Sequence, residues 1–300
     1  MKKAMKWSVM LLALVGFAAC EGQDLPTYER TEPIVFESGS PFVTLYKDIR
    51  YGEQPAGIDA EDRSSDRLMD LYIPKFPVPA EGYPVFLFVH GGGFSGGDKC
   101  DTGVGYHKIS QAMAESGFAA ISMNYFLGLK YENKIDTSCT AEMKNGLPAD
   151  GVYTPTMQQA IDNASDDAAR VLAWIKANAA KYNLNPNAVF VCGGSAGAIT
   201  VIDLAYFSDQ QVLPIRGVVN LWGAAANPAA IELPAPPMLI YHGDKDELVN
   251  VAYADAFEAR LQELGVPVVK NILAGKGHAQ YTYIRQAHIN DIVAFMRSLL

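Results

Sequence analysis

The chain is poor in cationic side chains. Lys and Arg number 24 against 33 Asp and Glu, giving a formal net charge of −9 at pH 7. No basic stripe runs through it, which argues against a nucleic-acid partner held by phosphate contacts. Cysteine is also scarce, with four in 300 residues, and no spacing among them suggests a zinc site. Long apolar runs are missing apart from residues 7–19, and that run is too short to span a bilayer comfortably. There is no internal repeat and no low-complexity block. The remaining composition, 49% hydrophobic and 19% charged, is that of an ordinary globular protein. Its length suits one large α/β domain or two small ones.

The apolar run lies behind "MKKAMK", a positively charged start, and ends at Ala18-Ala19-Cys20. These are the features of a signal peptide, so the mature chain is expected to be exported. The junction resembles a bacterial lipoprotein signal, with Phe17 standing where leucine is usual. That resemblance implies cleavage after residue 19, lipidation of Cys20 and a membrane attachment made only through that anchor. A plain secretory signal cut near Ala19 is the alternative. Residues 20–40 then read as a tether, and residues 41–300 as a single domain. Export makes an oxidising compartment the expectation, so Cys100 and Cys139, both in polar segments, are candidates for a disulfide. Cys192 ends an apolar run and reads as a small buried hydrophobe.

Strand-like and helix-like stretches alternate through the domain. Residues 42–49 and 68–74 alternate apolar and polar, as half-exposed antiparallel edge strands do. Residues 85–90, 118–126, 188–193, 217–223, 237–243 and 267–273 are nearly continuous apolar runs. They are expected as strands buried on both faces of a parallel sheet. Helices are expected over 105–116, 154–182, 196–207, 251–264 and 281–300. In the second, Ile161, Ala164, Ala168, Val171, Leu172 and Ile175 form one stripe. Such alternation predicts a mainly parallel, doubly wound α/β sheet with helices on both faces. Residues 127–155 are the one long irregular stretch, either a functional loop or a small cap.

Within that frame, "GGSAG" (193–197) joins a β-branched run to a helix-like run. This is the Gly-x-Ser-x-Gly nucleophile elbow in its proper context. The serine must take a strained conformation to project its hydroxyl. Side chains two residues before and after it would collide with the neighbouring helix and strand. "HGGGF" (90–94) follows the strand 85–90. With these two motifs the chain resembles the α/β-hydrolase superfamily over residues 68–300. The likeness is to the HGGG-bearing esterases and lipases, of the hormone-sensitive-lipase-like and feruloyl/acetyl-xylan-esterase-like branches. The family's strand ending in Asp-Tyr-Arg appears here as "ISMNYF", with Asn124 and Phe126, so no role of that aspartate or arginine carries over.

The resemblance implies an oxyanion hole built from the N–H groups of Gly92, Gly93 and Ala196. Ser195 needs a base, and the base needs an orienting carboxylate. In this fold the order is serine, acid, histidine. His278, on the glycine-flanked loop "LAGKGHAQ", is the expected base. His242 is expected to brace the acid loop, and His288 to sit on a helix. In "YHGDKDELV" the resemblance assigns the acid to Asp246, with Asp244 as a turn residue. No metal or cofactor is required by this chemistry. Phe94, Tyr125 and Trp222, at or beyond strand ends, either wall a substrate pocket or pack in the core. The resulting expectation is a serine esterase acting through a Ser195–His278–Asp246 triad and an acyl-enzyme. Its substrates would be small-molecule esters, or acetyl or feruloyl groups on polysaccharides. The alternatives are a serine peptidase of the prolyl-oligopeptidase type and a non-catalytic surface lipoprotein that binds glycans.

Overall fold

The computed structural model describes residues 34–300 apart from 38, 60, 102 and 132–136. The signal peptide, Cys20 and the rest of the stretch to residue 33 lie outside the described residues; residues 34–37, read as tether, instead form a strand that pairs with the sheet. Nine strands form one sheet: β1 (Ile34–Glu37), β2 (Val43–Arg50), β3 (Leu68–Pro74), β4 (Tyr83–Val89), β5 (Ala119–Met123), β6 (Leu184–Gly194), β7 (Ile215–Leu221), β8 (Met238–Gly243) and β9 (Val268–Leu273). Their order is β1-β2-β3-β5-β4-β6-β7-β8-β9. The first three strands and the β3–β5 pair are antiparallel, and every other pairing is parallel. After β4 the chain moves one way to β5, then crosses back to β6 on the other side. The strand order therefore reverses around β4, and ligands bind such sheets outside the carboxyl ends of strands at that point.

The runs read as parallel strands are buried because each feeds two cores. Side chains alternate across a strand. Val85, Leu87 and Val89 of β4 enter one core, and Phe86 and Phe88 the other. Strand β6 does the same with Val189 and Val191 against Phe190 and Cys192. The first core is covered by α4 (Pro155–Tyr182), α5 (Ala196–Tyr206) and α6 (Ala252–Glu263). The second is covered by α1 (Tyr106–Glu115) and by the C-terminal α7 (Tyr281–Tyr283) and α8 (Ile289–Arg297), which flank a π-helical turn over 284–288. Helix α4 opens on Thr154, whose side chain accepts from the Met157 N–H, with Pro155 in the first turn. It closes on Asn183 in the left-handed region. Its predicted stripe from Ile161 to Ile175 is buried.

Three sequence expectations need correction. Strand β3 is not half-exposed: six of its seven residues are buried, because β2 and β1 extend the sheet beyond it. Its polar Asp70 is fully buried and paired with Lys99 at 2.9 Å. Strand β9, read as buried on both faces, is the opposite edge of the sheet, with Val269 and Ile272 exposed. Cys100 and Cys139 form no disulfide with each other; both are buried thiols. Cys139 starts α3 (Cys139–Met143) and packs in the α4-side core. Cys100 instead sits at the end of the glycine loop, where its thiol donates to Asp98. The stretch 127–155 contains α2 (Gly128–Tyr131) as well as α3. It is tied to α6 and the turn before it: Asn250 donates to the Lys144 carbonyl at 3.1 Å, and the Tyr253 hydroxyl to the Gly146 carbonyl at 2.8 Å.

Candidate active site

Ser195 stands between β6 and α5 with φ +57° and ψ −125°, a conformation that side chains rarely adopt. The elbow is held by close packing of backbone on backbone. A Cβ on Gly193 would lie 2.2 Å from the Gly197 carbonyl carbon, and one on Gly197 would lie 2.0 Å from the Val89 carbonyl oxygen. Gly194 is constrained by a side chain instead, since its Cβ would meet the Tyr281 hydroxyl at 2.3 Å and ring at 2.5–2.6 Å. The sequence alone did not single out Tyr281, because its sole sign was an aromatic residue three positions beyond His278.

The structure brings Ser195, His278 and Asp246 together. Ser195 Oγ is 2.7 Å from His278 Nε2, and His278 Nδ1 is 2.7 Å from Asp246 Oδ2. Burial raises the Asp246 pKa, but hydrogen bonds to His242 and His278 and from the Val249 N–H more than reverse it. The net result lies below the usual carboxylate range. A carboxylate can only accept, so the proton of His278 sits on Nδ1, and Nε2 is left to accept from the serine hydroxyl. Asp246 Oδ1 accepts from the N–H groups of Leu248 and Val249 at 3.0 and 2.9 Å. His242 Nε2 donates to the Val249 carbonyl at 2.9 Å and lies 3.4 Å from Asp246 Oδ2, bracing the acid loop. Asp244 points elsewhere, accepting from the Gly275 N–H at 2.7 Å. With the Lys245 N–H donating to the Lys276 carbonyl at 2.9 Å, it laces the acid loop to the histidine loop. His288 lies apart from this cluster, beside Asp291.

The glycine loop after β4 runs beside the elbow. Gly92, Gly93 and Phe94 take φ values of +121°, +63° and +59°. A Cβ on Gly92 would sit 2.0 Å from the Gly96 carbonyl oxygen. The Gly92 carbonyl turns inward to accept from Ser95 and Gly96. Among the described residues, the N–H groups of Gly92 and Gly93 donate to no protein acceptor. The Ala196 N–H opens α5, where first-turn donors have no intrahelical partner.

The far end of this loop is clamped by residues that the motif did not reveal. The Lys99 ammonium is buried between Asp70 at 2.9 Å and Asp48 at 3.0 Å. Its N–H donates to Asn124 Oδ1 at 2.5 Å, and its carbonyl accepts from Ser122 at 2.7 Å. The other end of Asn124 donates to the Arg63 carbonyl and to Asp98. Asn124, where the family resemblance broke down, is thus the hub of this clamp. His90 is buried, stacked 4.5 Å from Tyr125, and its Nδ1 lies 2.7 Å from the Gly91 carbonyl. Burial lowers its pKa.

Phe94, Tyr125 and Trp222 do not face an open pocket. All three are fully buried. Tyr125 donates to the His90 carbonyl at 3.0 Å and meets the Phe94 ring edge-on. Trp222 packs edge-on against Tyr281 and His278, with centroids at 4.9 and 6.2 Å. They brace the loops that carry the site. Among the described residues, no group of three or more His, Cys, Asp or Glu side chains is placed to hold a metal ion. No described helix is long and apolar enough to cross a membrane.

Comparison with known proteins gives a consistent picture. The profile of the family described as Phospholipase/Carboxylesterase matches residues 141–299, more than half of the chain, and that of BD-FAE matches residues 69–141. Esterase LipQ of Mycobacterium tuberculosis (strain ATCC 25618 / H37Rv) is 24% identical over 83% of this chain. Fumonisin B1 esterase of Sphingopyxis macrogoltabida is 28% identical over 68% of it. The chain spans 60% and 35% of these two relatives' own lengths. Among solved structures, a truncated form of a carbohydrate esterase from gut microbiota superposes with a TM-score of 0.59 at 16% identity. That match covers 86% of this chain and 96% of the other. The fold is that of the α/β-hydrolases.

Proposed function

The chain belongs to the phospholipase/carboxylesterase family, and on that premise we propose that it is a serine hydrolase of carboxylic esters. The observation that carries this reading is the unbroken chain of two 2.7 Å hydrogen bonds from Ser195 through His278 to Asp246. Ser195 attacks the ester carbonyl while His278 Nε2 takes its proton. Asp246 holds the imidazole tautomer and stabilises the imidazolium. Negative charge grows on the carbonyl oxygen and is met by the N–H groups of Gly92, Gly93 and Ala196. One such donor typically lowers the barrier by about 3 kcal/mol. His278 then protonates the leaving alcohol, and water repeats the cycle on the acyl-enzyme.

The proposed substrates are small esters and acetyl or feruloyl esters on polysaccharides. The match to BD-FAE and the fold shared with a carbohydrate esterase support this class. So does the proposed export of the chain on a lipid anchor at Cys20, read from residues 1–20. Short-chain p-nitrophenyl esters provide the first test. The wild type should turn them over, and Ser195→Ala should lose on the order of a millionfold in kcat. Equal rates for the two proteins would remove the triad mechanism. Acetylated and feruloylated oligosaccharides then define the acyl group. Labelling with a radioactive fatty acid, abolished in Cys20→Ser, tests the anchor.

A further inference from the structure

Along the helix that follows the elbow, between α4, α5 and the segment after β7, lies a cleft of about 270 Å³. Ile161, Ile199 and Ile202 give it an apolar wall; Gln158, Asp203 and Asn227 bring polar groups to it. One of its walls begins at the proposed nucleophile, and another follows a residue packed against the proposed base. Ile199 lies one turn along α5 from Ser195, its N–H donating to the Ser195 carbonyl at 3.0 Å. The segment Ala224–Asn227 follows Trp222, the residue packed against His278. Ile199 and Asp203, four residues apart on α5, lie on the same side of the helix. At a rise of about 1.5 Å per residue, Asp203 stands about 12 Å along α5 from the nucleophile.

We propose that this cleft holds the non-reacting arm of the ester, and that Asp203 recognises a hydroxyl group on that arm. The proposal rests on the esterase reading above. An apolar wall cannot discriminate strongly between arms of similar shape. A polar acceptor at the far end can, because leaving it unpaired has a cost. Asp203 is partly buried against α4 and, among the described residues, carries no basic partner. Burial raises its pKa to about 6; the neighbouring Ser165 hydroxyl opposes that rise, and Asp162 and Asp166 on α4 add to it. Tyr153, the other titratable group of the cleft, is held by burial far above its ordinary pKa and stays neutral throughout. Above pH 6 the carboxylate accepts from Ser165 and keeps acceptor capacity that a substrate hydroxyl can use.

Two pairs of esters test this. One varies the acyl arm, as p-nitrophenyl phenylpropionate and its para-hydroxyphenyl analogue. The other varies the alcohol arm, as cyclohexyl acetate and its hydroxylated analogue. The wild type should show a KM about tenfold lower for the hydroxylated member of one pair at pH 8, the size expected of one hydrogen bond to a charged group. That ratio should fall towards one as the pH drops through 6, while triad effects cancel between pair members. Asp203→Asn and Asp203→Leu should abolish the ratio and its pH dependence. The pair that responds identifies the arm. Equal KM values within both pairs, or a ratio that survives Asp203→Leu, would overturn this proposal alone, since p-nitrophenyl acetate turnover still supports the esterase. No turnover of any ester by the wild type would overturn both.

Discussion

At the scale of single residues, the difference between Asp246 and Asp244 tests the assignment most sharply. The two lie two positions apart, yet one carboxyl meets His278 and the other ties down Gly275. Asp246→Asn should lower kcat about ten-thousandfold by reversing the imidazole tautomer. Asp244→Asn should lower kcat far less, since it loosens a loop contact only. Steady-state kinetics of both variants decide the matter, and the reverse ranking would move the acid to Asp244. The depressed pKa of Asp246 also links stability to pH. An unfolded aspartate titrates near about 3.9, so the folded protein gains stability from Asp246 above that value. The gain is lost as the pH falls below about 4, towards the folded-state pKa. Urea unfolding should therefore show the wild type and Asp246→Asn converging in stability as the pH falls from 5 to 3. Parallel curves over that range would contradict the linkage.

At the scale of elements, the elbow and the glycine loop are rigid for different reasons. The elbow is rigid because strand, helix and β4 backbone meet with no room for a side chain. Gly197→Ala puts a methyl 2.0 Å from the Val89 carbonyl oxygen, so it should lower both the melting temperature and the yield of active enzyme. The glycine loop is rigid because Lys99 and Asn124 clamp its far end. Burial opposes the charge on Lys99, but Asp70, Asp48 and Asp98 raise its pKa well above the ordinary value. Lys99→Met leaves Asp70 without its cation and takes one of two from Asp48, and should cost about 3–5 kcal/mol in urea-determined stability. An unchanged urea midpoint would show that the clamp is dispensable. Glycine spacing announces its own steric cause, so the elbow was legible in the sequence. The clamp was not, because Asp48, Asp70, Lys99 and Asn124 come from four separate segments with no common spacing. For the same reason β3 was misread: its alternating pattern encodes a buried ion pair, not a solvent-facing side.

At the scale of the whole molecule, nine strands serve to bring three distant positions above one sheet edge. The reversal of strand order around β4 leaves room there for the glycine loop from one side and the elbow from the other. Strands β8 and β9 then deliver the acid and the base on adjacent loops laced together through Asp244 and Lys245. Continuous apolar runs made the parallel strands readable. They could not show which strand lies at the rim, because an edge such as β9 carries the same Val and Ile residues as its buried neighbours. The account turns on the reactivity of a single hydroxyl, activated from 83 positions away in the chain. Labelling with a p-nitrophenyl phosphonate ester, read by peptide mass spectrometry, measures that directly. One adduct on the peptide containing Ser195, formed at least a hundredfold more slowly in His278→Ala, is the predicted result. An adduct on another residue, or the same labelling rate without His278, would contradict it.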